Sequence, residues 1–122
     1  MNKRLRILIA DDNVVLCEII KQYLERNMDI DILGTVYDGE EEIKLIKSLK
    51  PDIVITDLQR KRGISGIDVI RKCYNEFEMK KIKFIVETAS YSKEELNILI
   101  DLGIEHLLIK PFPLSQLMNK II

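Results

Sequence analysis

A chain of 122 residues suits one hydrophobic core and leaves little room for a second, so residues 1–122 are expected to form a single domain. Apolar residues make up 47% and charged residues 32%, with 19 Lys and Arg against 20 Asp and Glu. That balance excludes a disordered tail and a protein that coats nucleic acid through its net charge. The opening Met1-Asn2-Lys3-Arg4 leads into a strand-like run of six residues, far short of a signal peptide or of the ~20 residues of a membrane span. The expectation is a cytoplasmic protein with no membrane contact and no direct nucleic-acid binding.

Leu5 to Ala10 is predicted as the first strand, broken by Asp11-Asp12-Asn13, which can cap a helix. From Val14 to about Arg26, Leu16, Ile19, Ile20, Tyr23 and Leu24 recur at three- and four-residue spacing, the pattern of an amphipathic helix. Asp31 to Val36 is a second strand and Asp38-Gly39 a turn. Glu40 to Leu49 puts Ile43, Ile46 and Leu49 on one side of a second helix, which ends at Lys50-Pro51-Asp52. Ile53-Val54-Ile55-Thr56-Asp57 follows, an apolar run that reads as a strand buried on both faces and that ends on a carboxylate. Gln59 to Gly66 is a polar loop in which Arg60-Lys61-Arg62 is expected to be solvated. Ile67, Val69, Ile70, Cys73 and Tyr74 support a third helix to about Glu76, with Phe77 and Met79 leaving its end open.

Ile82 to Glu87 is the fourth strand, followed by Thr88-Ala89-Ser90. Ser92 with Glu95 forms a capping box for a fourth helix, whose Leu96, Leu99, Ile100 and Leu102 are expected inside before Gly103 stops it. His106 to Ile109 is the fifth strand, Lys110-Pro111-Phe112-Pro113 a turn, and Leu114 to Ile122 a closing helix carrying Leu117, Met118, Ile121 and Ile122. Cys17 and Cys73 lie in separate helices without metal spacing and read as buried free thiols.

Five strands alternating with five helices imply an α/β doubly wound sandwich, a parallel sheet covered on both faces. In such sheets ligands bind beyond the carboxyl ends of the strands. Asp11-Asp12, Asp57, Thr88 and Lys110 all fall there. Carboxylates within roughly 5 Å of one another repel by about 3 kcal/mol per pair at an effective dielectric near 20, so a cation is needed to keep them ionised. An all-oxygen site suits Mg²⁺ or Mn²⁺. A lysine and a hydroxyl beside it can both contact phosphoryl oxygens, so the set describes phosphoryl transfer with an aspartate as nucleophile.

With these residues the chain resembles the receiver domain of two-component response regulators over essentially its whole length. Asp11-Asp12 is similar to the family's acidic pair, Asp57 to its phosphoacceptor, Thr88-Ala89 to the switch hydroxyl and its small neighbour, and Lys110-Pro111-Phe112 to its lysine with a typically cis peptide. The resemblance implies a flavodoxin-like (βα)5 three-layer sandwich with strand order 2-1-3-4-5. It implies Mg²⁺ or Mn²⁺ on Asp12, Asp57 and the backbone carbonyl of Gln59, with Asp11 acting mostly through water. It also implies a histidine kinase or phosphotransfer protein as phosphoryl donor, an effector C-terminal to this chain or a stand-alone regulator, and leaves open a homodimer through the fourth helix, fifth strand and fifth helix.

Three departures stand out. The usual Met-Pro after the phosphoacceptor is absent, and Gly66 stands nine positions on rather than eight. Leu107 occupies the position, three before the lysine, where an aromatic residue normally couples to the hydroxyl. Glu87 replaces a residue that is usually apolar. These leave the phosphorylation chemistry in place and predict a partial, graded switch. Two rival readings are a phosphorylation-independent interaction module and an aspartate-nucleophile phosphatase. The second would want an acid/base aspartate at position 59, which is Gln.

Overall fold

The computed structural model describes residues 3–61, 63–76 and 81–122; Arg62, Phe77 and Met79 lie outside them. Strands β1 (Leu5–Ala10), β2 (Ile30–Val36), β3 (Ile53–Asp57), β4 (Lys83–Thr88) and β5 (His106–Ile109) alternate with helices α1 (Val14–Leu24), α2 (Gly39–Leu49), α3 (Gly66–Asn75), α4 (Lys93–Asp101) and α5 (Leu114–Ile121). Four helices start where a short polar side chain accepts a free backbone N–H of the first turn: Asn13 from Leu16, Asp38 from Glu41, Ser65 from Asp68, and Ser92 from Glu95. At Ser92 the Glu95 carboxylate returns the bond, completing the expected capping box. Element boundaries move by a few residues from the expected ones, as when β4 runs to Thr88 rather than Glu87.

All strand pairs are parallel, in the order β2-β1-β3-β4-β5. This is the flavodoxin-like doubly wound sandwich. Alternate residues of each strand serve opposite cores. Leu8, Val54, Phe84 and Val86 pack with Ile43 and Ile46 of α2, Ile67 and Ile70 of α3 and Leu99 of α4. Ile7, Ile9, Ile53, Ile55, Ile85 and Leu108 pack with Cys17, Ile20 and Leu24 of α1 and with Leu117 and Ile121 of α5. Both cysteines are free and buried, and burial pushes each thiol up to about 12.

Two side chains expected inside, Ile19 and Ile100, are exposed. Ile19 and Ile100 each stand beside a fully packed residue, Ile20 and Leu99, and one residue turns a helix by about 100°. A narrow contact stripe therefore takes one and leaves its neighbour in water. Ile122 follows the last turn of α5 and is also exposed.

Candidate functional site

β1 and β3 are neighbours from which the chain winds outward in opposite directions, and a crevice opens there at their carboxyl ends. The register pairs Ala10 with Thr56, so Asp11 and Asp57 leave the sheet side by side. One carboxylate oxygen from each of Asp11, Asp12 and Asp57 lies within 4.8 Å of the others. Backbone amides orient all three: the N–H of Asn13 donates to Asp11 Oδ1 at 2.8 Å, that of Lys61 to Asp12 Oδ2 at 3.2 Å, and that of Gln59 to Asp57 Oδ1 at 3.4 Å. Lys110 Nζ reaches in from the end of β5, 2.7 Å from Asp11 Oδ2 and 3.6 Å from Asp57 Oδ2. The Lys110-Pro111 peptide is cis.

Among the described residues Lys110 is the one ammonium ion-paired with these three carboxylates, so the cluster is under-compensated. Burial, then the charge of Asp11, pushes the Asp57 carboxyl up to about 6, against the pull of Lys110 and of the Gln59 N–H. Burial also opposes ionisation of Asp11, but hydrogen bonds from Glu87, Lys110 and the Asn13 N–H outweigh it and hold Asp11 below the ordinary range. Lys110 answers in kind: burial favours its neutral form, and the hydrogen bond and charge of Asp11, with the charge of Asp57, hold its pKa above the ordinary value.

Thr88 is fully buried, and its hydroxyl donates to the Ser90 carbonyl at 2.6 Å. Gln59 is exposed, and its side chain crosses to α4, Nε2 lying 3.4 Å from Glu95 Oε1. All the expected site residues thus collect at one edge, with Thr88 turned to its own loop.

Two further residues bear on this edge, and the second differs from expectation. Glu87 shares strand parity with Asp57 and is fully buried against Asp11. Burial, then a hydrogen bond toward Asp11 and Asp11's charge, push Glu87 up to about 9, so it keeps its proton at neutral pH. Arg60 is not solvated. Its side chain is 1% exposed and pairs with the buried Glu42 of α2, because the loop folds it inward over Thr56. The signal for Glu42 was its place one turn before Ile46 on the inner face of α2.

The response regulator receiver domain model matches residues 7–122. This chain belongs to that family. Among solved structures, the receiver of a Luxo repressor protein from Vibrio parahaemolyticus is 30% identical, with a TM-score of 0.86 over 97% of this chain and 87% of its own. The isolated receiver of RcsB from Salmonella enterica serovar Typhimurium, solved with the phosphomimetic BeF3-, is 24% identical, with a TM-score of 0.83 over 98% of this chain and 86% of its own. A DNA-binding response regulator of the LuxR family from Staphylococcus aureus is 22% identical, with a TM-score of 0.87 over 96% of this chain and 95% of its own. Receivers are signalling domains, and no helix among the described residues is long and apolar enough to cross a membrane.

Proposed function

We propose that this receiver, acting as one unit over residues 1–122 in the cytoplasm, accepts a phosphoryl group on Asp57 from a histidine kinase or phosphotransfer protein, with Mg²⁺ or Mn²⁺ as cofactor. The observation that carries this reading is the convergence of Asp11, Asp12 and Asp57 with Lys110 at the β1/β3 crevice. An all-oxygen, under-compensated donor set fits a hard divalent cation. Asp12, Asp57 and the Gln59 carbonyl would hold the ion, with Asp11 acting mostly through water. Bound there, the cation would neutralise phosphoryl oxygens and favour ionised Asp57.

An Asp57 oxygen then attacks phosphorus while the P–N bond of the donor phosphohistidine breaks and its electron pair returns to the imidazole. Lys110, already 3.6 Å from Asp57, stabilises charge on the transferred group. Thr88 can bond a phosphoryl oxygen only by giving up Ser90, so acceptance of the group pulls on the loop between β4 and α4. The expected output is a shift of this loop, α4 and β5. An effector C-terminal to the receiver fits the likeness to a DNA-binding regulator. Exposed Ile100 on α4 and Ile109 on β5 give a second copy apolar surface to cover on the face made with α5.

Acetyl phosphate with Mg²⁺ should label the wild-type chain, read by intact mass, and leave Asp57→Asn unlabelled. Label retained by Asp57→Asn, or absent from the wild type, would overturn the reading. With Gln59 in place of an acid/base aspartate, no sustained hydrolysis of phosphate esters is expected; turnover abolished by Asp57→Asn would make the domain a phosphatase.

A further inference from the structure

Arg60 and Glu42 form an ion pair on the face of the sheet covered by α2 and α3, away from the acidic pocket. Arg60 Nη2 lies 2.6 Å from Glu42 Oε1 and 2.5 Å from Thr56 Oγ1, while Nη1 donates to the Ile64 carbonyl at 3.4 Å. One guanidinium therefore joins α2, the residue before Asp57, and the far end of the loop that follows Asp57. Gly39 makes the room: a Cβ there would sit 2.6 Å from Ile64 O and 3.0 Å from Arg60 Nη1.

Such a pair is a poor source of stability, because desolvating two charges offsets their attraction. Burial pushes Glu42 up to about 7 in spite of Arg60. Arg60 Nε and Glu42 Oε2 are buried without a hydrogen-bond partner among the described residues. What the pair does supply is geometry. The residues on either side of Arg60 touch the pocket through their backbone, the Gln59 N–H on Asp57 and the Lys61 N–H on Asp12. Pinning the side chain between them fixes both amides against the carboxylates.

We propose that Arg60, held by Glu42 and Thr56, is a positioning residue that clamps residues 59–61 of the loop after Asp57 and so presets Asp12, Asp57 and the Gln59 carbonyl for a divalent cation. This deepens the phosphoacceptor reading and rests on it. The double substitution Glu42→Leu/Arg60→Met removes both charges at similar volume, whereas Arg60→Met alone strands Glu42 and is expected to lower the thermal midpoint.

The double variant should melt at or above the wild-type temperature. Its Mg²⁺ dissociation constant, measured by calorimetry on the whole chain, should rise roughly 10- to 100-fold, as when other supports of metal ligands are lost. Amide hydrogen exchange at residues 59–61, measured without metal, should speed up. Thr56→Val, which removes only the hydroxyl contact, should move affinity and exchange in the same direction by less. A folded double variant with wild-type affinity and exchange overturns the clamp. Should the double variant not fold, unchanged affinity and exchange in Thr56→Val overturn it instead. A wild-type chain that neither binds Mg²⁺ nor takes label brings down the phosphoacceptor reading first, and the clamp with it.

Discussion

Glu87 is a carboxyl group with no water to ionise into and a carboxylate for a neighbour, and its proton couples folding to pH. The folded protein keeps that proton up to about 9, against an ordinary 4.5. Its contribution to stability is therefore fully present below pH 4.5 and lost as pH rises through 9. Asp57, raised from 3.8 to about 6, and Glu42, raised from 4.5 to about 7, act with the same sign in lower windows. Asp11, held below 3.8, acts with the opposite sign and loses its contribution only in strong acid. In metal-free buffer the thermal midpoint should fall steadily from pH 5 to pH 9. Glu87→Gln keeps a donor toward Asp11 and cannot ionise, so it should match the wild type at pH 5 and melt higher at pH 9. Circular dichroism at pH 5, 7 and 9 checks this, and an equally steep fall in the variant would place the titration elsewhere. Because a cation needs Asp57 ionised, Mg²⁺ affinity should drop by up to about tenfold per pH unit below about 6, which calorimetry at pH 5 and 7 measures.

At the scale of elements, the joint between β3 and α3 depends on Gly66. A Cβ on Gly66 would stand 2.3 Å from the Asp57 carbonyl oxygen, and the Gly66 N–H closes the turn on Leu58 O at 3.0 Å. Gly66→Ala must push α3 off the strand, at a cost of about 1–3 kcal/mol, seen in urea unfolding as a lower midpoint with unchanged slope. Ser92→Ala, by comparison, removes one cap and should cost about 1 kcal/mol. The ten elements were readable from the chain because each strand's apolar run ends in a polar break and most helices carry a cap. Strand parity was readable too: Ile9 and Asp11, Ile55 and Asp57, and Leu108 and Lys110 differ by two, so the residues that pack on α1 and α5 point to the residues that meet at the edge. The same count from Ile85 reaches Glu87. An acid noted only as standing where an apolar residue is usual is by this rule part of the pocket. Arg60 was not legible, since a cation inside a run of cations signals solvent. Only the fold brings Glu42 of α2 to meet it.

Across the whole molecule, the strength of the switch follows from what its contacts replace. Driving a two-state element from about 1% to 99% needs around 5.5 kcal/mol of differential binding. A phosphoryl group offers contacts to Lys110 and Thr88 worth about 1.5–3 kcal/mol each, but neither partner starts free. Lys110 already holds Asp11 and Asp57, and Thr88 must surrender its 2.6 Å bond to Ser90, worth about 1 kcal/mol. The net therefore falls short of full conversion. Leu107 supplies no compensating rearrangement: it is a partly buried aliphatic side chain against the core cluster on the α2, α3 and α4 face, with no ring to swing between water and the interior. Beryllofluoride with Mg²⁺ should accordingly leave the amide resonances of residues 88–103 at positions between two limiting states, with Leu107→Tyr moving them further toward the activated limit. Saturating analogue that converts the wild type completely, with no effect of Leu107→Tyr, would show that the energy of the switch comes from a contact other than these two.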